Sequence, residues 1–471
     1  MTQQAVHTGV PECDSARKLL SRGQVVFASG AALAAGAVTV IDPGTAGLIA
    51  TGTASVLYLA VVAFKVLLSH GYDRSHVMRF GPGELPPEHE LPGYTVLVPL
   101  YRESKVLHAL LDRLAALDYP DDRRQILLLV EEDDEETRGA LPAVLPSGFE
   151  VVLIPAGHPR TKPKACNVGL RHARGEFCVI FDAEDQPEPA QLRKAVAAFR
   201  SSPRWMVCVQ AELQYWNPWT NWLTRCFAAE YAHNFGLFLH GLDRFRLPIP
   251  LGGTSNHFRT DALRDLGAWD PFNVTEDADL GIRIARRGWS VRMMESVTLE
   301  EANCRLGNWL RQRSRWIKGY CQTWLVHMRS PVRLWRELGP RGFVSFQLAV
   351  GFATLTTLLN PVFWAMTALY LVAGSGPIAG LFPGPVLYTA VASMLAGNLL
   401  LMHGYMAGCL ERGLHAAVRT MLLAPAYWAL MSVAAYRAVW QLVRPSRRHF
   451  WELTEHGLID AGPAGRQTTV R

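Results

Sequence analysis

Long apolar stretches lie near both ends of the chain and flank a charge-rich middle. Near the N-terminus, Gln24–Ile41 and Ala46–Ser69 are each close to the roughly 20 residues that cross a bilayer as a helix, and a Pro-Gly turn divides them. A cleaved signal peptide is the alternative for the first stretch, but the second follows at once and no small-residue cleavage site lies between them. We therefore expect two transmembrane helices over residues 24–70.

A second apolar region, residues 342–406, contains no Asp, Glu, Lys or Arg. The glycine- and proline-rich segment Gly374–Pro385 interrupts it, so the pattern predicts a pair of transmembrane helices, the first with a kink at Pro361. A further apolar stretch, Met421–Val443, can be a span, a re-entrant pair or an interfacial helix. Residues 407–443 are accordingly predicted to form membrane-associated helices, with these three alternatives open.

The middle of the chain, residues 92–330, alternates short apolar runs with helix-like segments, which is typical of α/β layers. One amphipathic helix is predicted over Ser104–Leu117. Four runs resemble strands: Tyr94–Val98, Gln125–Val130, Val151–Ile154 and Phe177–Phe181. In open α/β sheets, ligands bind beyond the carboxyl ends of the strands, so the residues that follow each run are candidates for chemistry.

Composition divides the chain in the same way, because 49% of residues are hydrophobic, 19% are charged, and the charges concentrate in the middle. The net charge of +6 is modest and arginines cluster beside the apolar stretches, which indicates membrane orientation rather than nucleic-acid binding. The two predicted outer loops carry no Lys or Arg. The positive flanks are Arg17, Lys18, Arg22, Arg74, Arg79, Arg444, Arg447 and Arg448.

The positive-inside rule then places both ends of each hairpin in the cytoplasm. We expect a multi-pass protein of the cell (inner or plasma) membrane with an even number of spans. Its cytoplasmic parts are a segment over residues 1–23, the middle domain and a tail over residues 444–471. All eight cysteines lie outside the outer loops and none has zinc-site spacing, so we expect reduced thiols.

Acidic clusters follow two of the strand-like runs. Glu131–Glu136 can face a ligand, but it can equally be a solvated charge run or the first turn of a helix. Asp182, Glu184 and Asp185 follow the fourth run, where carboxylates spaced by one residue can share a hard cation. Mg²⁺ takes one or two carboxylates together with water and substrate phosphates, so this cluster predicts a metal-bound diphosphate. Lys164 can hold a phosphate or be an ordinary surface lysine.

Two further motifs also have a structural and a functional interpretation. The segment Thr-Glu-Asp that ends at Asp277 opens a helix, where acids stabilise the dipole, but a carboxylate fixed there can also deprotonate an acceptor hydroxyl. Gln312, Arg315 and Trp316 share one helix face. Such a face suits a membrane interface, and it equally suits contacts with a diphosphate and a hexose.

In this order and spacing, the motifs Lys-Ala-Cys-Asn, Asp-Ala-Glu-Asp, Thr-Glu-Asp and Gln-Arg-Ser-Arg-Trp resemble those of the membrane-integrated family 2 glycosyltransferases. These include cellulose, chitin and hyaluronan synthases and bacterial cellulose-synthase-like proteins. The resemblance covers roughly Tyr94–Trp324 and the flanking spans, and Gln-x-x-Arg-Trp after Thr-Glu-Asp is its most specific element. It implies an α/β domain of the GT-A type, which binds a nucleotide-diphospho-sugar, inserted between transmembrane helices.

The resemblance implies a donor site. The residues that match donor-binding positions are Glu131, Glu132, Lys164, Asn167, Asp182, Gln312, Arg315 and Trp316. Glu131 and Glu132 stand where the family has two aspartates that contact the base and the ribose. Asp182 and Glu184 match the pair that holds Mg²⁺ or Mn²⁺ with the diphosphate. The second member of this pair is Glu here, and Asp185 is an alternative ligand.

On the acceptor side, Asp277 matches the general base, and its rivals are the neighbouring acids Glu276 and Asp279. The helix dipole should keep Asp277 ionised. The implied acceptor-binding residues are Gly253, Thr254, Ser255 and Trp316, the first three in a glycine-containing loop that allows close approach. The aromatic segment Trp219–Leu242 resembles an interfacial helix that holds the domain against the bilayer, and an ordinary core helix is the alternative.

The implied function is inverting transfer of a sugar from a nucleotide-diphosphate donor, such as UDP-glucose, to a growing β-linked polysaccharide at the membrane. Transfer of a single sugar to a lipid acceptor is the alternative among enzymes, since ceramide glucosyltransferase-like enzymes carry a related Gln-x-x-Arg-Trp. A non-catalytic membrane binding protein is the third hypothesis, which the retained Asp182 and Asp277 disfavour. Accessory secretion subunits are further candidate partners.

Overall fold

The computed structural model describes residues 9–373, 383–455 and 457–458. Residues 1–8, residues 374–382 of the predicted loop Gly374–Pro385, and residues 459–471 of the predicted tail lie outside the described residues. The strands are β1 (Tyr94–Leu100), β2 (Arg124–Glu131), β3 (Phe149–Ile154), β4 (Phe177–Ile180), β5 (Gln186–Pro187), β6 (Met206–Tyr215), β7 (Asn256–Arg259) and β8 (Ser290–Glu300).

These strands form one eight-stranded mixed sheet in the order β3-β2-β1-β4-β7-β6-β8-β5. Strands β3, β2, β1 and β4 are parallel, while β7 runs antiparallel to both β4 and β6. Every residue of β2 is buried, as expected for a parallel strand with helices on both faces. The four strand-like runs of the sequence are β1–β4, and the predicted α/β fold class is confirmed.

The helices, in chain order, are α1 (Arg22–Ile41), α2 (Pro43–His70), α3 (Leu107–Ala115), α4 (Glu135–Ala140), α5 (Lys162–His172), α6 (Gln191–Arg200), α7 (Trp222–His233), α8 (Leu239–Arg244), α9 (Thr260–Asp265), α10 (Glu276–Arg286), α11 (Leu306–His327), α12 (Pro331–Phe346), α13 (Phe352–Ala373), α14 (Gly384–Ala392), α15 (Asn398–Glu411), α16 (His415–Val418) and α17 (Ala424–Val443). Short π-helical segments join α7 to α8, α12 to α13 and α14 to α15. Helix α13 continues through Pro361, and α12 is interrupted at Gly339, which has a φ of 67°.

Two apolar cores lie on opposite faces of the sheet, because successive side chains of a strand point to opposite faces. Leu97 of β1 and Leu127 of β2 belong to the core on the face that also receives α7 and α15. Val96 of β1 and Ile126 of β2 belong to the core under α3 and α6. Both faces of the sheet are therefore covered, and ligands can approach it beyond the carboxyl ends of the strands.

In the described part of the chain, five helical segments are long and apolar enough to cross a membrane: Arg22–Ile41, Pro43–His70, Pro331–Ala373, Gly384–Glu411 and His415–Val443. Their large apolar side chains are widely exposed, with Leu33 at 76%, Val40 at 84% and Val372 at 87%. Such extended apolar surface marks a membrane or protein contact, and the length of these segments indicates association with a membrane.

The first four of these segments form two hairpins whose ends return to the sheet domain. Gln24 of α1 donates to a backbone carbonyl at the end of α11 (2.7 Å), and Ser69 of α2 hydrogen-bonds to α7 (2.8 Å). At the second hairpin, Glu337 of α12 pairs with α10 (2.6 Å), and Arg412, directly after α15, pairs with β6. Each hairpin therefore begins and ends on the same side of the protein.

Helix α17 lies along α11. Near its start, the Tyr427 hydroxyl accepts from Arg313 of α11 (2.8 Å), and in its middle three alanines are buried beside Ile317. Beyond its end, the Phe450 carbonyl accepts from Lys318 of α11 (2.8 Å). Helix α17 therefore packs along the domain, and the membrane association of residues 407–443 stays a prediction.

Helices α7 and α8, within the segment Trp219–Leu242, lie between the sheet and the apolar helices. Phe227 is fully buried in the core shared with β6. His233 lies close to two glycines of α15, because a Cβ added at Gly404 would be 3.0 Å from His233 and one added at Gly408 would be 2.6 Å from it. The segment therefore contributes to the core and also contacts the apolar helices, and its place at a membrane interface stays a prediction.

Candidate active site

A cavity of about 1190 Å³ opens beyond the ends of β1, β2 and β4. The residues singled out from the sequence that line it are Glu131, Asp182, Glu184, Gly253, Thr254, Glu276, Asp277, Gln312, Arg315 and Trp316. Those that lie outside its lining are Glu132, Lys164, Asn167, Asp185, Ser255 and Asp279. The fold thus brings residues from five separate parts of the chain to one cavity.

The loop after β4 presents two carboxylates to this cavity. Asp182 and Glu184 both line it, and Asp182 Oδ1 accepts from Lys162 Nζ at 2.5 Å. Asp185 points the other way, because it is fully buried and accepts from the Asp182 amide (2.7 Å) and from the Thr254 hydroxyl. Asp185 therefore shapes the loop and does not replace Glu184 at the cavity, contrary to the alternative considered from the sequence.

Glu300, at the end of β8, adds a cavity carboxylate that the sequence motifs did not point to. Burial raises its pKa well above the usual value, and the charges of Asp185 and Glu184 raise it further. Burial and the charge of Asp182 likewise raise the pKa of Asp185. Acidic groups therefore crowd at these strand ends, and the raised pKa values keep part of them protonated. An acid at the end of a strand is the signal that identifies Glu300, but β8 was not among the predicted strands.

Lys162 brings positive charge to these acids. Its Nζ pairs with Asp182 and donates to the Gly253 carbonyl at 2.6 Å. Burial lowers the pKa of Lys162, but the carboxylates of Asp182 and Glu276 outweigh burial, so that its pKa is raised and the ammonium stays charged. The sequence motif pointed to Lys164, whereas the structure places Lys162, two residues earlier on the same helix, at the cavity.

The acids after β2 are mostly held by the protein. Lys164 is 2% exposed, donates to a backbone carbonyl at 2.5 Å and pairs with Glu131 at 3.5 Å. Burial raises the pKa of Glu131, and Lys164 opposes that rise. Glu132 is exposed to solvent outside the cavity, and Asp134 caps α4 by accepting from the Thr137 amide (3.1 Å). Glu131 alone of this cluster lines the cavity.

The first turn of α10 carries Glu276 and Asp277 into the cavity. Gly253 lies directly beside Asp277, since a Cβ at that glycine would be 3.4 Å from Asp277 Oδ2. Asp279 is fully buried and pairs with Arg283 (2.8 Å) and His327 (3.1 Å), so it is not available as a base.

Burial controls the protonation of this pair of acids. It raises the pKa of Asp277, although the Ala278 amide, Lys162 and Arg315 lower it in part. It also raises the pKa of Glu276, to which the charge of Asp277 contributes. Desolvation of the Asp277 carboxylate therefore exceeds the effect of the helix dipole on its pKa, which rises to about 6 and leaves the group mostly ionised near pH 7. A carboxyl with a raised pKa is a better proton acceptor.

Two neighbouring segments hold the first turn of α10 and the loop beside it in place. Asn167 of α5 makes two hydrogen bonds to the backbone of Trp269 (2.8 and 3.1 Å), which fixes the segment that leads into α10. In the loop before β7, the Thr254 hydroxyl donates to the Ile180 carbonyl (3.0 Å), and Ser255, with a φ of 57°, donates to the side chain of Thr298 (2.7 Å). Gly253 therefore faces the cavity while Ser255 anchors the loop from behind.

Helix α11 forms the opposite wall. Gln312 accepts from Asn303 (2.9 Å), the Trp316 ring stacks near Tyr231 with centroids 6.1 Å apart, and Arg315 lines the cavity. Gly319 allows α11 to approach the start of α10, because a Cβ there would lie 2.4 Å from the side chain of Thr275. Thr275 holds the N-cap position of α10 without a side-chain capping bond.

The segment after α17 also lines the cavity, although the sequence predicted only a positively flanked tail. The Trp451 ring lies 4.4 Å from the Arg315 guanidinium, and Glu452 pairs with Arg437 (2.6 Å). The amides of Gly457 and the following residue donate to the Glu301 carboxylate (2.7 and 3.0 Å). The aromatic pair at 450–451 was the available signal, but its place beside Arg315 depends on how α17 packs.

The donor set of the β4 loop is suited to a divalent cation. Within residues 9–373, 383–455 and 457–458, no group of three or more His, Cys, Asp and Glu side chains forms a metal cluster. Mg²⁺ needs only one or two carboxylates when substrate phosphates complete its shell, and Asp182 and Glu184 supply such hard oxygen ligands. The crowding of acidic groups at the strand ends suits a divalent cation as well.

Comparison with known proteins agrees with this geometry. Residues 92–319 match the family model described as "Glycosyltransferase like family 2". The chain is 26% identical over 307 residues to a beta-monoglucosyldiacylglycerol synthase of Synechocystis sp., which covers 60% of this chain and 61% of that protein. It is 24% identical over 310 residues to a probable glucomannan 4-beta-mannosyltransferase of Oryza sativa subsp. japonica, which covers 59% and 51%.

A probable glycosyltransferase of Bacillus subtilis is 25% identical over 235 residues, covering 49% of this chain and 56% of that protein. The chain thus spans about half to three fifths of the curated relatives it matches. Among solved structures, a mannosyltransferase from Pyrobaculum calidifontis in complex with GDP-Man and Mn²⁺ matches with a TM-score of 0.46 and 18% identity, covering 83% of this chain and 99% of that one. Residues 92–319, which contain all eight strands of the mixed sheet, are therefore similar to the family 2 glycosyltransferases.

Proposed function

We propose that this protein is an inverting glycosyltransferase, which moves a sugar from a nucleotide-diphosphate donor to an acceptor hydroxyl at the membrane surface. The observation that carries the proposal is the meeting of Asp182, Asp277 and Arg315 in one cavity, from motifs far apart in the chain. One side of the cavity offers cations and hard ligands for a diphosphate, and the other offers a carboxylate with a raised pKa.

On the donor side, Arg315 and Lys162 supply positive charge for the diphosphate oxygens, and the Arg315 guanidinium can do so with two parallel hydrogen bonds. Asp182 and Glu184 would hold Mg²⁺ or Mn²⁺, which supplies neutralisation of the charge on the leaving group. Glu131 lies where the nucleoside would extend, at the end of β2. We infer a UDP-sugar such as UDP-glucose as the donor.

On the acceptor side, Asp277 takes the proton from the acceptor hydroxyl while that oxygen bonds to the anomeric carbon. The bond from the anomeric carbon to the diphosphate oxygen breaks, the nucleoside diphosphate leaves with the bonding electrons, and the configuration inverts. Glu276, with its raised pKa, stays protonated more readily than an ordinary glutamate and so limits repulsion beside Asp277. Lys162 lies between the Asp182 carboxylate and Gly253, and it holds the two halves of the site together.

We also propose that the two apolar hairpins span the membrane and that the domain and both termini are cytoplasmic. The support is that each hairpin returns to the domain, that the arginines flank these returns, and that α17 lies along α11. A cysteine introduced at Arg471 should resist an impermeant thiol reagent in intact cells. Rapid labelling there would contradict an even number of spans.

Two classes of acceptor are compatible with this chemistry. One is a growing β-linked glycan, as the resemblance to polysaccharide synthases implies, with accessory secretion subunits as candidate partners. The other is a lipid hydroxyl. The relatives are named for both kinds of product, since one is a glucomannan mannosyltransferase and another a glucosyldiacylglycerol synthase.

The experiment that tests the function is turnover of radiolabelled nucleotide sugars by the purified full-length protein. We expect release of nucleoside diphosphate from one donor, dependence on Mg²⁺ or Mn²⁺, and loss of activity in Arg315→Ala. Full activity in excess chelator would remove the role given to Asp182 and Glu184. No turnover of any donor, by protein that still binds nucleoside diphosphate, would contradict the proposed function.

A further inference from the structure

We infer that the acceptor is a hydroxyl-bearing membrane lipid, which enters the catalytic cavity from the apolar helices. The inference rests on the proposed transferase function and adds the class of acceptor. It follows from the direction, the polarity and the depth of the cavity.

The cavity is continuous from the catalytic turn to the helices that carry the apolar surface. Besides Asp277, its lining includes Lys65 of α2, Thr354 and Thr357 of α13, and Met431 of α17. Helix α13 is held against α17 here, because Ser432 donates to the Thr357 carbonyl at 2.8 Å. A molecule anchored among these helices can therefore place its head at Asp277 without leaving the protein surface.

The lining changes in polarity along this direction. At the catalytic end, Asp182 and Arg315 both line the cavity. Aromatic rings also line it, where Tyr231 and Phe235 lie 5.2 Å apart between centroids and Tyr231 stacks near Trp316. On α13 and α17 the lining consists of Ala353, Thr354, Thr357 and Met431. This gradient matches an amphiphile whose polar head reacts and whose chains stay with the apolar helices.

A charged cluster marks the level at which the polar head would cross into the domain. Glu230 of α7 accepts from Arg313 (3.1 Å) and from the Tyr427 hydroxyl (2.5 Å). Lys65 lines the cavity near Glu230, whose charge acts on it. Hydrogen-bonding groups of this kind at the boundary of an apolar region suit the ester and hydroxyl groups of a lipid head.

The depth of the cavity distinguishes a lipid from a secreted polymer. In the described parts of the helices, the cavity reaches Lys65, within the last two turns of α2, and Thr357, within the first two turns of α13. Both positions lie beside the domain. A path that conducts a polysaccharide would follow the helices across the bilayer, whereas a lipid acceptor needs only this lateral entrance.

The test uses the full-length protein in phosphatidylcholine liposomes, whose headgroup has no free hydroxyl. A mixture of diacylglycerol, phosphatidylglycerol and ceramide is added or omitted, and radiolabelled nucleotide sugars are supplied. We expect label in the organic phase only when the hydroxyl lipids are present. Label in a water-soluble polymer would overturn the inference and leave the proposed function standing. Absence of donor turnover under every condition would overturn both.

Ala353→Phe and Leu355→Phe form a matched pair on α13. Ala353 lines the cavity, whereas Leu355 is 37% exposed on the outer face. We expect Ala353→Phe to reduce transfer to lipid about 10-fold or more, since a bulky ring fills the entrance, and Leu355→Phe to be normal. A rise in Tm on adding nucleoside diphosphate shows that each variant is folded. Equal transfer by the two variants would overturn the entrance proposed here.

Discussion

Two carboxylates after β4 face an open cavity, whereas of the acids at the end of β2 only Glu131 does so. Asp182 and Glu184 line the cavity, and Asp182 is matched by a lysine from another element. After β2, Asp134 caps a helix and Glu132 lies in solvent. The same contrast occurs within one turn of α10, where Asp277 faces the cavity and the second residue after it is buried in an ion pair.

The acids differ in how fully the protein itself supplies them with hydrogen bonds and charge partners. An acid whose oxygens are filled by backbone amides or by an internal arginine has little left to offer a substrate. An acid that is desolvated and only partly compensated has a raised pKa, which is common at sites that move protons. Asp277 and Glu276 show this raised pKa, while that of Asp279 is lowered, because Arg283 and His327 outweigh its burial.

The sharpest test of this contrast is Asp277→Asn against Asp279→Asn. Removing the base while keeping its shape should lower kcat by about 10²–10⁴-fold and leave nucleotide affinity nearly unchanged. Asp279→Asn should instead destabilise the fold by about 3–5 kcal/mol, because it leaves Arg283 buried without its charge partner. Steady-state kinetics and thermal unfolding separate the two. If Asp277→Asn weakened nucleotide binding and spared turnover at saturating donor, Asp277 would be a donor ligand.

A comparable contrast exists between the two strand ends. Asp182→Asn should lower kcat by about 10²-fold or more with the fold intact, because the diphosphate loses part of its neutralising site. Asp134→Ala should cost about 1 kcal/mol of stability through the lost cap of α4 and leave kcat unchanged. Activity measured across Mg²⁺ concentrations, together with Tm, checks both. An inactive but stable Asp134→Ala protein would show that the acids after β2 take part in chemistry.

Lys162→Met and Lys164→Met should show the same contrast between a cavity residue and a buried structural residue, with smaller effects. Lys162→Met removes a charge from the cavity, and we expect donor KM to rise by roughly 10-fold, in line with about 1.5–3 kcal/mol for a charged hydrogen bond. Lys164→Met leaves Glu131 without its buried partner and should lower Tm more than it changes KM. If instead Lys164→Met raised the donor KM and Lys162→Met mainly lowered Tm, Lys164 would be the lysine that binds the donor.

The smallest expected effect is on pH dependence. Because burial raises the pKa of Asp277, the acid limb of kcat/KM should lie above the ordinary aspartate pKa of about 3.9, and activity should be lost as pH falls through the raised value. Glu276 has a raised pKa and stays largely protonated in this pH range, so Glu276→Gln should leave the acid limb in place. Loss of the limb in Glu276→Gln would mean that Glu276, not Asp277, is the group that titrates.

Much of the architecture could be predicted because it depends on local periodicity. The runs that became β1–β4 are short and apolar, and the long apolar stretches are separated by proline and glycine. The acids at strand ends could be found for the same reason. Strand β8 was not predicted, because its run from Ser290 contains the charged residues Arg292 and Glu295. For the same reason Glu300, at the end of this strand, was not predicted as a cavity residue.

Assignments within a motif were harder, because neighbouring residues of the same type differ only in direction. Lys162 and Lys164 are two apart on α5, so their side chains point about 200° from each other around the helix axis, and only one can face the cavity. The same geometry separates Asp277 from Asp279. Such choices depend on which neighbours surround the helix, and those come from distant parts of the chain.

The amino-acid sequence by itself determined the α/β class of the central domain and the apolar helices at both ends. It also determined the motifs from which the cavity is built, because strands, helices and strand-end acids follow from local patterns. Only the tertiary structure decided which acids face the cavity, that Lys162 reaches Asp182, and that Trp451 lies over Arg315. The reason is that desolvation and charge pairing depend on groups brought together across hundreds of residues, and no local pattern carries that information.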